Sequence, residues 1–188
     1  ASNAMVPSER SENEVLVDSR ANGVQFRSKF DHDEQPNILV VDDNSFNLLA
    51  VVHYLKKYKV NIFQAFNGQE CLDLIFEKKK KGIQFQLILM DIQMPILDGV
   101  EATQKIRKFE KEGKLYSIPV ITLTANIEEV MKMKDKNLFD GVMEKPCKDL
   151  QIRDALNQYG LNMDDPNFSP EKFKQSIQEV HHVQSIFQ

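Results

Sequence analysis

Residues 37–44 have the sequence NILVVDDN, and this stretch decides the fold. A run of four apolar residues, three of them β-branched, ends at two adjacent aspartates. Short β-branched apolar runs are typical of buried strands, and asparagine is a common residue just before the first turn of a helix. The stretch therefore predicts a buried strand that leads directly into a helix, with two carboxylates at the junction.

The alternation of strand and helix continues along the chain. Strands are predicted at 38–41, 60–65, 87–90, 118–123 and 141–144. Helices are predicted at 45–57, 68–80, 99–111, 127–136 and 148–159, and the first four follow the capping residues Asn44, Asn67, Asp98 and Asn126. Such alternation favours right-handed crossovers and a parallel sheet. We therefore expect an α/β fold of the (βα)5 type, in which helices cover both faces of a doubly wound, five-stranded parallel sheet.

Two flanking segments differ from this predicted domain of residues 37–159. Residues 1–36 are polar and are predicted to form a linker or extension, whose first four residues resemble a cloning remnant. Residues 160–188 predict a connector followed by an amphipathic helix. Its apolar residues fall on one stripe: Phe173, Ile177, Val180 and Phe187. This helix can dock on its own domain, form a homodimer with a second copy, or pack against a neighbouring domain.

Composition narrows the class of protein. Of 188 residues, 41% are hydrophobic and 28% are charged, which indicates a globular domain rather than a disordered or fibrous chain. No apolar run approaches the roughly 18 residues that a membrane span needs. The net charge of −4 argues against a nucleic-acid partner. Two cysteines make no disulfide framework, so a reducing, cytoplasmic location is expected.

Polar residues follow four of the five predicted strands. Asp42 and Asp43 end the first strand, Asp91 the third, Thr124 the fourth and Lys145 the fifth. Ligands of open parallel sheets bind outside the carboxyl ends of the strands. Three carboxylates at one edge favour a hard divalent cation such as Mg²⁺. With a lysine and a hydroxyl beside them, they suit an incoming phosphoryl group, which a carboxylate can accept as an acyl phosphate.

Four strings occur in this order on the predicted strand ends: ILVVDDN at 38–44, DIQMP at 91–95 with DG at 98–99, PVITLTA at 119–125, and EKP at 144–146. Together they make residues 37–159 resemble the receiver domain of two-component response regulators, most of all the receivers of hybrid histidine kinases. The resemblance implies a flavodoxin-like fold with strand order 2-1-3-4-5. It also implies a Mg²⁺-dependent role in a phosphorelay, with a histidine kinase or a histidine phosphotransfer protein as phosphodonor.

The resemblance assigns the acidic residues to nucleophile and metal roles. Asp91 would accept the phosphoryl group and also contact Mg²⁺. Asp43 would bind Mg²⁺ directly, and Asp42 would bind it directly or through water. The backbone carbonyl of Gln93 would complete the protein ligands.

The resemblance also assigns residues on the last two strands. Thr124 would donate its hydroxyl to the phosphoryl group, Ala125 would leave room for that group, and Lys145 would pair with Asp91 and then with a phosphoryl oxygen. The peptide bond before Pro146 is expected to be cis. Many receivers carry an aromatic switch residue three positions before the lysine, where this chain has Val142, so the usual aromatic readout is not expected.

Two other functions also fit a strand-end aspartate. A phosphohydrolase of the haloacid dehalogenase type needs a second acid two residues after the nucleophile, but Gln93 follows Asp91 and Asn44 follows Asp42 at that spacing. A pseudo-receiver that acts only as a docking module would lack part of the acid–lysine set, which is complete here. Whether to class the chain as an enzyme stays open, because a receiver promotes its own phosphorylation and dephosphorylation without conventional turnover, and the chain could be a fragment of a histidine kinase.

Overall fold

The computed structural model describes residues 35–133 and 137–162. The strands are β1 (Asn37–Val41), β2 (Asn61–Ala65), β3 (Leu87–Asp91), β4 (Val120–Thr124) and β5 (Gly141–Glu144). The helices are α1 (Ser45–Leu55), α2 (Gly68–Lys80), α3 (Gly99–Lys111), α4 (Ile127–Met131) and α5 (Asp149–Gln158). All strand pairs are parallel, in the order β2-β1-β3-β4-β5. The expected (βα)5 fold and strand order are confirmed.

Two hydrophobic cores lie on opposite faces of the sheet. Alternate residues of a strand point to opposite faces, so Ile38 and Val40 pack beside α1 and α5, whereas Leu39 and Val41 pack beside α2 and α3. All residues of β3 and β4 are buried. Burial on both faces explains why the sequences of these central strands are almost continuously apolar and do not alternate between apolar and polar residues.

The predicted capping residues start their helices. The side chain of Asn67 accepts the Glu70 N–H at 2.9 Å, and that of Asp98 accepts the Glu101 N–H at 2.8 Å. Asn44 and Asn126 cap α1 and α4 in the same way. Each cap satisfies backbone donors where a helix begins. The caps Asn44 and Asp98 therefore help to hold the loops that follow β1 and β3, next to the three acids.

Five elements are shorter than predicted. β2 begins at Asn61 rather than at 60, α1 ends at Leu55 rather than at 57, and α5 spans Asp149–Gln158 rather than 148–159. β4 begins at Val120 rather than at 118, because Pro119 has no N–H and the N–H groups on either side of it bond to side chains. Ile118 donates to Glu110 at 2.8 Å, and Val120 donates to Asp140 at 2.7 Å. α4 ends at Met131, five residues before the predicted end at 136.

An ion-pair cluster closes the amino edge of the sheet. Arg107 contacts both carboxylate oxygens of Glu110 at 3.0 Å and Oδ2 of Asp140 at 2.6 Å. It also donates to the backbone carbonyls of Ile118 and Leu138. The cluster ties α3 to the beginning of β4 and to the turn before β5.

The predictions for the flanks lie outside the described residues. These are the N-terminal extension and the C-terminal helix with its apolar stripe, and the boundaries proposed for them stay predictions. Within residues 35–133 and 137–162, no helix has the length and apolar character of a membrane span.

Candidate functional site

Three carboxylates meet at the carboxyl edge of the sheet. Asp42 follows β1 directly, Asp43 is the next residue, and Asp91 is the last residue of the adjacent strand β3. Carboxylate oxygens from the three residues lie within 4.8 Å of one another. Asp42 and Asp91 are buried, at 1% and 7% exposure, whereas Asp43 is exposed.

Lys145 reaches this cluster from the far side of the site. It directly follows β5, and its backbone N–H donates to the Thr124 carbonyl at 2.8 Å. Its Nζ lies 2.6 Å from Oδ2 of Asp42 and 2.8 Å from Oδ1 of Asp91. The peptide bond between Lys145 and Pro146 is cis, as expected. One ammonium group therefore bridges the two buried carboxylates.

Burial and ion pairing shift the pKa values of Asp91 and Lys145 in opposite directions. Burial raises the pKa of the Asp91 carboxyl above its ordinary value, although the hydrogen bond from Lys145 acts in the opposite direction. For Lys145, burial lowers the pKa, but the hydrogen bonds to Asp42 and Asp91 outweigh it and the net shift is upward. The lysine is therefore held in its charged form beside Asp91.

Asp42 and Asp43 differ in how many hydrogen bonds their carboxylates accept from other protein groups. Oδ1 of Asp42 accepts the Asn44 N–H at 2.9 Å and the Asn47 side-chain amide at 3.1 Å, while Oδ2 accepts from Lys145. Among the described residues, no group donates a hydrogen bond to the Asp43 carboxylate. The oxygens of the Asp43 carboxylate are therefore available to bind a ligand. The contact of Asn47 was not foreseen, although its place in the first turn after the aspartates is the signal for it.

The segment after Asp91 packs tightly against the backbone of Asp91 itself. A Cβ on Gly99 would lie 1.9 Å from the Asp91 carbonyl oxygen, so only glycine fits there. The Gly99 N–H also donates to the Ile92 carbonyl at 2.9 Å. The loop therefore folds back on β3 and presents the exposed residue Gln93 beside the acids.

A cleft of about 170 Å³ opens above Asp91 and Lys145. Thr124 and Ala125 line it, as does Glu129, which the sequence analysis did not single out. The Thr124 hydroxyl accepts the Asn126 N–H at 3.0 Å and donates to the Asn126 carbonyl at 3.2 Å. The hydroxyl is thus engaged by the loop between β4 and α4, at the wall of the cleft.

Val142 and Cys147 lie on either side of Lys145 in the chain and do not line the cleft. Val142 is half-buried on β5, opposite Thr122, and has no ring. Burial raises the pKa of Cys147 to about 11, so its thiol stays protonated and is not a competing nucleophile at neutral pH.

The donor set fits a divalent oxygen-binding cation. Mg²⁺ is typically held by one or two carboxylates and waters, and this edge offers the exposed Asp43 next to Asp42 and Asp91. A cation bound there would offset the repulsion among the three carboxylates, which the single charge of Lys145 offsets only in part.

A family model for the response regulator receiver domain matches residues 38–157. The chain belongs to the response regulator receiver domain family. This confirms the resemblance drawn from the four strings. The individual roles of the acids, Thr124 and Lys145 stay predictions, because the match identifies the family and not the role of each residue.

Similar proteins include receivers of larger kinases. The hybrid signal transduction histidine kinase I of Dictyostelium discoideum is 40% identical over 125 residues, which is 64% of this chain and 7% of that protein. The peroxide stress-activated histidine kinase mak1 of Schizosaccharomyces pombe is 34% identical over 112 residues, 58% of this chain and 7% of that kinase. This receiver thus spans only a small part of the length of these relatives.

A solved structure shares the fold. The receiver domain of the response regulator Ssk1 of Saccharomyces cerevisiae, crystallised with the histidine phosphotransfer signalling protein Ypd1, is 28% identical with a TM-score of 0.57. The match covers 70% of this chain and 94% of that one.

Proposed function

We propose that this receiver accepts a phosphoryl group from a phosphohistidine donor onto Asp91, as a step in a phosphorelay. One observation carries the proposal: the buried Asp91 carboxylate is ion-paired with Lys145 at the base of a cleft large enough for a phosphoryl group, beside two more carboxylates. A solvated surface aspartate has no such partners.

The reaction forms one bond and breaks one. A carboxylate oxygen of Asp91 supplies the electron pair that forms the new O–P bond, and the P–N bond of the phosphohistidine breaks. The imidazole nitrogen keeps the electron pair of the broken P–N bond. The ring leaves as neutral imidazole when its other nitrogen carries a proton, and otherwise it takes a proton from water. The product is an acyl phosphate on Asp91, and no oxidant or further co-reactant is needed.

In this proposal, Lys145 and Thr124 bind oxygens of the phosphoryl group and offset its negative charge. Lys145 already contacts Oδ1 of Asp91, so its ammonium can pass to a phosphoryl oxygen with a small movement. The Thr124 hydroxyl, now bonded to Asn126, can turn to donate to another oxygen. Ala125 offers only a methyl group at the cleft and so leaves space.

Asp43, Asp42, Asp91 and the backbone carbonyl of Gln93 would hold the cation. When bound, Mg²⁺ would neutralise the carboxylates and the phosphoryl oxygens as charge shifts during transfer. Asp43 is the foremost ligand in this proposal, because its carboxylate serves no other described group.

The proposed donor is a histidine kinase or a histidine phosphotransfer protein. Support comes from the relatives, which are hybrid histidine kinases, and from the Ssk1 receiver, which was crystallised with a phosphotransfer protein. The same relatives support a place for this receiver within a longer kinase or as a separate regulator. A cytoplasmic location and a homodimer through the C-terminal helix are kept as proposals.

A phosphohydrolase of the haloacid dehalogenase type is less well supported. The residue two positions after Asp91 is the exposed Gln93, whose amide cannot exchange a proton with a leaving group as a carboxylate does.

The test is phosphorylation by acetyl phosphate and Mg²⁺, followed by intact-protein mass spectrometry. The wild type should gain one phosphoryl group, and Asp91→Asn should gain none. Asp73→Asn, on the exposed face of α2, is the matched control and should behave as the wild type. A phosphoryl group retained by Asp91→Asn on another acid would overturn the assignment.

A further inference from the structure

Glu129 is a carboxylate at the wall of the site that belongs neither to the proposed cation ligands nor to the proposed phosphoryl contacts. It lies in the first turn of α4 and is exposed. It lines the cleft of about 170 Å³ above Asp91 and Lys145. It also lines a wider cleft of about 540 Å³ together with Asp43 and Gln93, two of the proposed cation ligands. One side chain therefore borders both the proposed phosphoryl position and the proposed cation position.

The backbone of Glu129 is held beside the Thr124 hydroxyl. The Glu129 N–H donates to the side-chain oxygen of Asn126 at 3.3 Å, which caps α4. The backbone of the same asparagine engages the Thr124 hydroxyl through two hydrogen bonds. The cap therefore places the start of α4, and Glu129 with it, next to the hydroxyl that is proposed to contact the phosphoryl group.

The Glu129 carboxylate has no cationic partner among the described residues. Lys145 is the one described cationic residue that lines the same cleft, and its Nζ contacts Asp42 and Asp91 instead. The described part of this edge thus sets four carboxylates against one ammonium group. The negative charge of Glu129 therefore acts on whatever enters the two clefts.

A carboxylate at this place acts with opposite sign on the two proposed ligands. Mg²⁺ is doubly positive, whereas a phosphoryl group carries a charge of about −1.5 to −2 near neutral pH. Glu129 therefore attracts the cation and repels the phosphoryl group. Between partly solvated charges several Å apart, such an interaction changes an equilibrium constant by a factor of roughly three to ten.

We infer that Glu129 is a specificity-determining residue of the site, which favours binding of the cation and limits uptake of the phosphoryl group. The inference rests on the proposed function. In the vacant site, the charge of Glu129 disfavours anions and favours the cation, so that cation binding precedes phosphoryl uptake. Glu129 bonds to neither ligand in this inference and acts through its electric field across the clefts.

The experiment measures the two ligands separately on the full chain. Mg²⁺ is titrated by calorimetry into the wild type, Glu129→Gln and Glu129→Lys. Phosphoryl uptake is measured, with Mg²⁺ saturating for each variant, as the affinity for the phosphoryl mimic beryllofluoride and as the initial rate with acetyl phosphate. Glu129→Gln should weaken Mg²⁺ binding by about two- to fivefold, and it should strengthen beryllofluoride binding and raise the rate by about three- to tenfold. Glu129→Lys should move each quantity further in the same direction.

Glu128→Gln is the matched control. Glu128 directly precedes Glu129, so both substitutions to glutamine remove an acid from the first turn of α4, where acids favour the helix. Glu128 pairs with Lys132 at 3.4 Å and lines neither cleft. Glu128→Gln should therefore leave Mg²⁺ binding, beryllofluoride binding and the rate within about twofold of the wild type.

Ionic strength supplies a second readout. Salt screens interactions between partly exposed charges. The ratio of the acetyl phosphate rates of Glu129→Gln and the wild type should therefore approach one as the salt concentration rises from about 0.02 M to about 0.5 M. A change in the packing of α4 would give a ratio that salt does not alter.

The other outcomes count against the inference. Changes of the same sign in Mg²⁺ and beryllofluoride affinity overturn it, as does a change in only one of them or in neither. An equal effect of Glu128→Gln, or a rate ratio that is independent of salt, overturns it too. A wild type that is inert to acetyl phosphate and to beryllofluoride refutes the proposed function itself.

Discussion

Nζ of Lys145 lies 2.6 Å from Oδ2 of Asp42, a carboxylate with only 1% of its surface exposed. The two residues are 103 positions apart in the chain, and the contact spans the sheet from the end of β5 to the end of β1. Family resemblance predicts that the lysine pairs with Asp91, and it makes that contact as well. Lys145 therefore also stabilises the fold, because its ammonium group offsets the charge of two buried carboxylates when no cation is bound.

The first prediction concerns this stabilising effect of Lys145. Lys145→Met should lower the free energy of unfolding by about 1–3 kcal/mol without Mg²⁺, because buried carboxylates lose their counter-charge. Saturating Mg²⁺ should restore part of the loss, since the cation neutralises the same groups. Urea unfolding with and without Mg²⁺ measures both effects. Lys57→Met is the control: its partner Asp149 lies at 3.0 Å but both side chains are nearly half exposed, so the loss should stay below about 1 kcal/mol and should not depend on Mg²⁺.

The second prediction separates the two adjacent aspartates. Asp43→Asn should weaken Mg²⁺ binding by roughly tenfold or more, and Asp42→Asn should weaken it less, because the Asp42 oxygens already serve Asn44, Asn47 and Lys145. Isothermal titration of Mg²⁺ into both variants gives the comparison. Equal or reversed losses would show that the direct ligand was misassigned.

The third prediction is a pH dependence at the amino edge. Burial raises the pKa of Glu110 above the ordinary 4.5, although Arg107 and the Ile118 N–H act to lower it. The folded state thus binds the proton more tightly than the unfolded state. The unfolding free energy of the wild type, relative to Glu110→Gln, should therefore rise as the pH falls from 7 toward 4.5.

Chemical denaturation across this pH range tests the sign. Glu77→Gln is the control and is followed to below pH 4.5: the hydrogen bond from Lys81 lowers the pKa of the exposed Glu77, so its relative stability should fall as the pH drops through 4.5 and lower. A decreasing trend for Glu110 would show that its ion pair with Arg107 outweighs burial.

The fourth prediction concerns how phosphorylation is transmitted. Before the Thr124 hydroxyl can turn to a phosphoryl group, it must give up its hydrogen bonds to Asn126. Val142 has one short branched side chain and few rotamers, so it fills little of any space that opens. Amide exchange with and without beryllofluoride should change most at Ala125–Val130 and little at Val142. Large changes at β5 and α5 with a silent β4–α4 loop would reject this route.

Much of the architecture could be predicted because its causes are local in sequence. Short apolar runs predict β1 and β3, capping residues predict where α2 and α3 begin, and both signals lie within a few positions of the chain. The meeting of Asp42, Asp43 and Asp91 followed from the rule that parallel strands end at one edge.

Other features depend on distances between remote elements and could not be predicted. The Lys145–Asp42 contact depends on a side-chain rotamer, and the late start of β4 depends on Glu110 and Asp140 accepting the N–H groups on either side of Pro119. The close packing at Gly99, where an added Cβ would lie 1.9 Å from the Asp91 carbonyl oxygen, depends on how the start of α3 meets the end of β3. None of these leaves a periodic signal in the sequence.

The direction of the strands has a consequence for how the domain can be joined to others. β1 begins at the amino edge, and α5 runs back to that edge, where Leu161 is buried beside Leu55 and Val60. Polypeptide attached before Asn37 or after Leu161 therefore leaves from the edge opposite the acids. Further domains could therefore be joined to this one at either point without an attachment at the edge that carries the three acids.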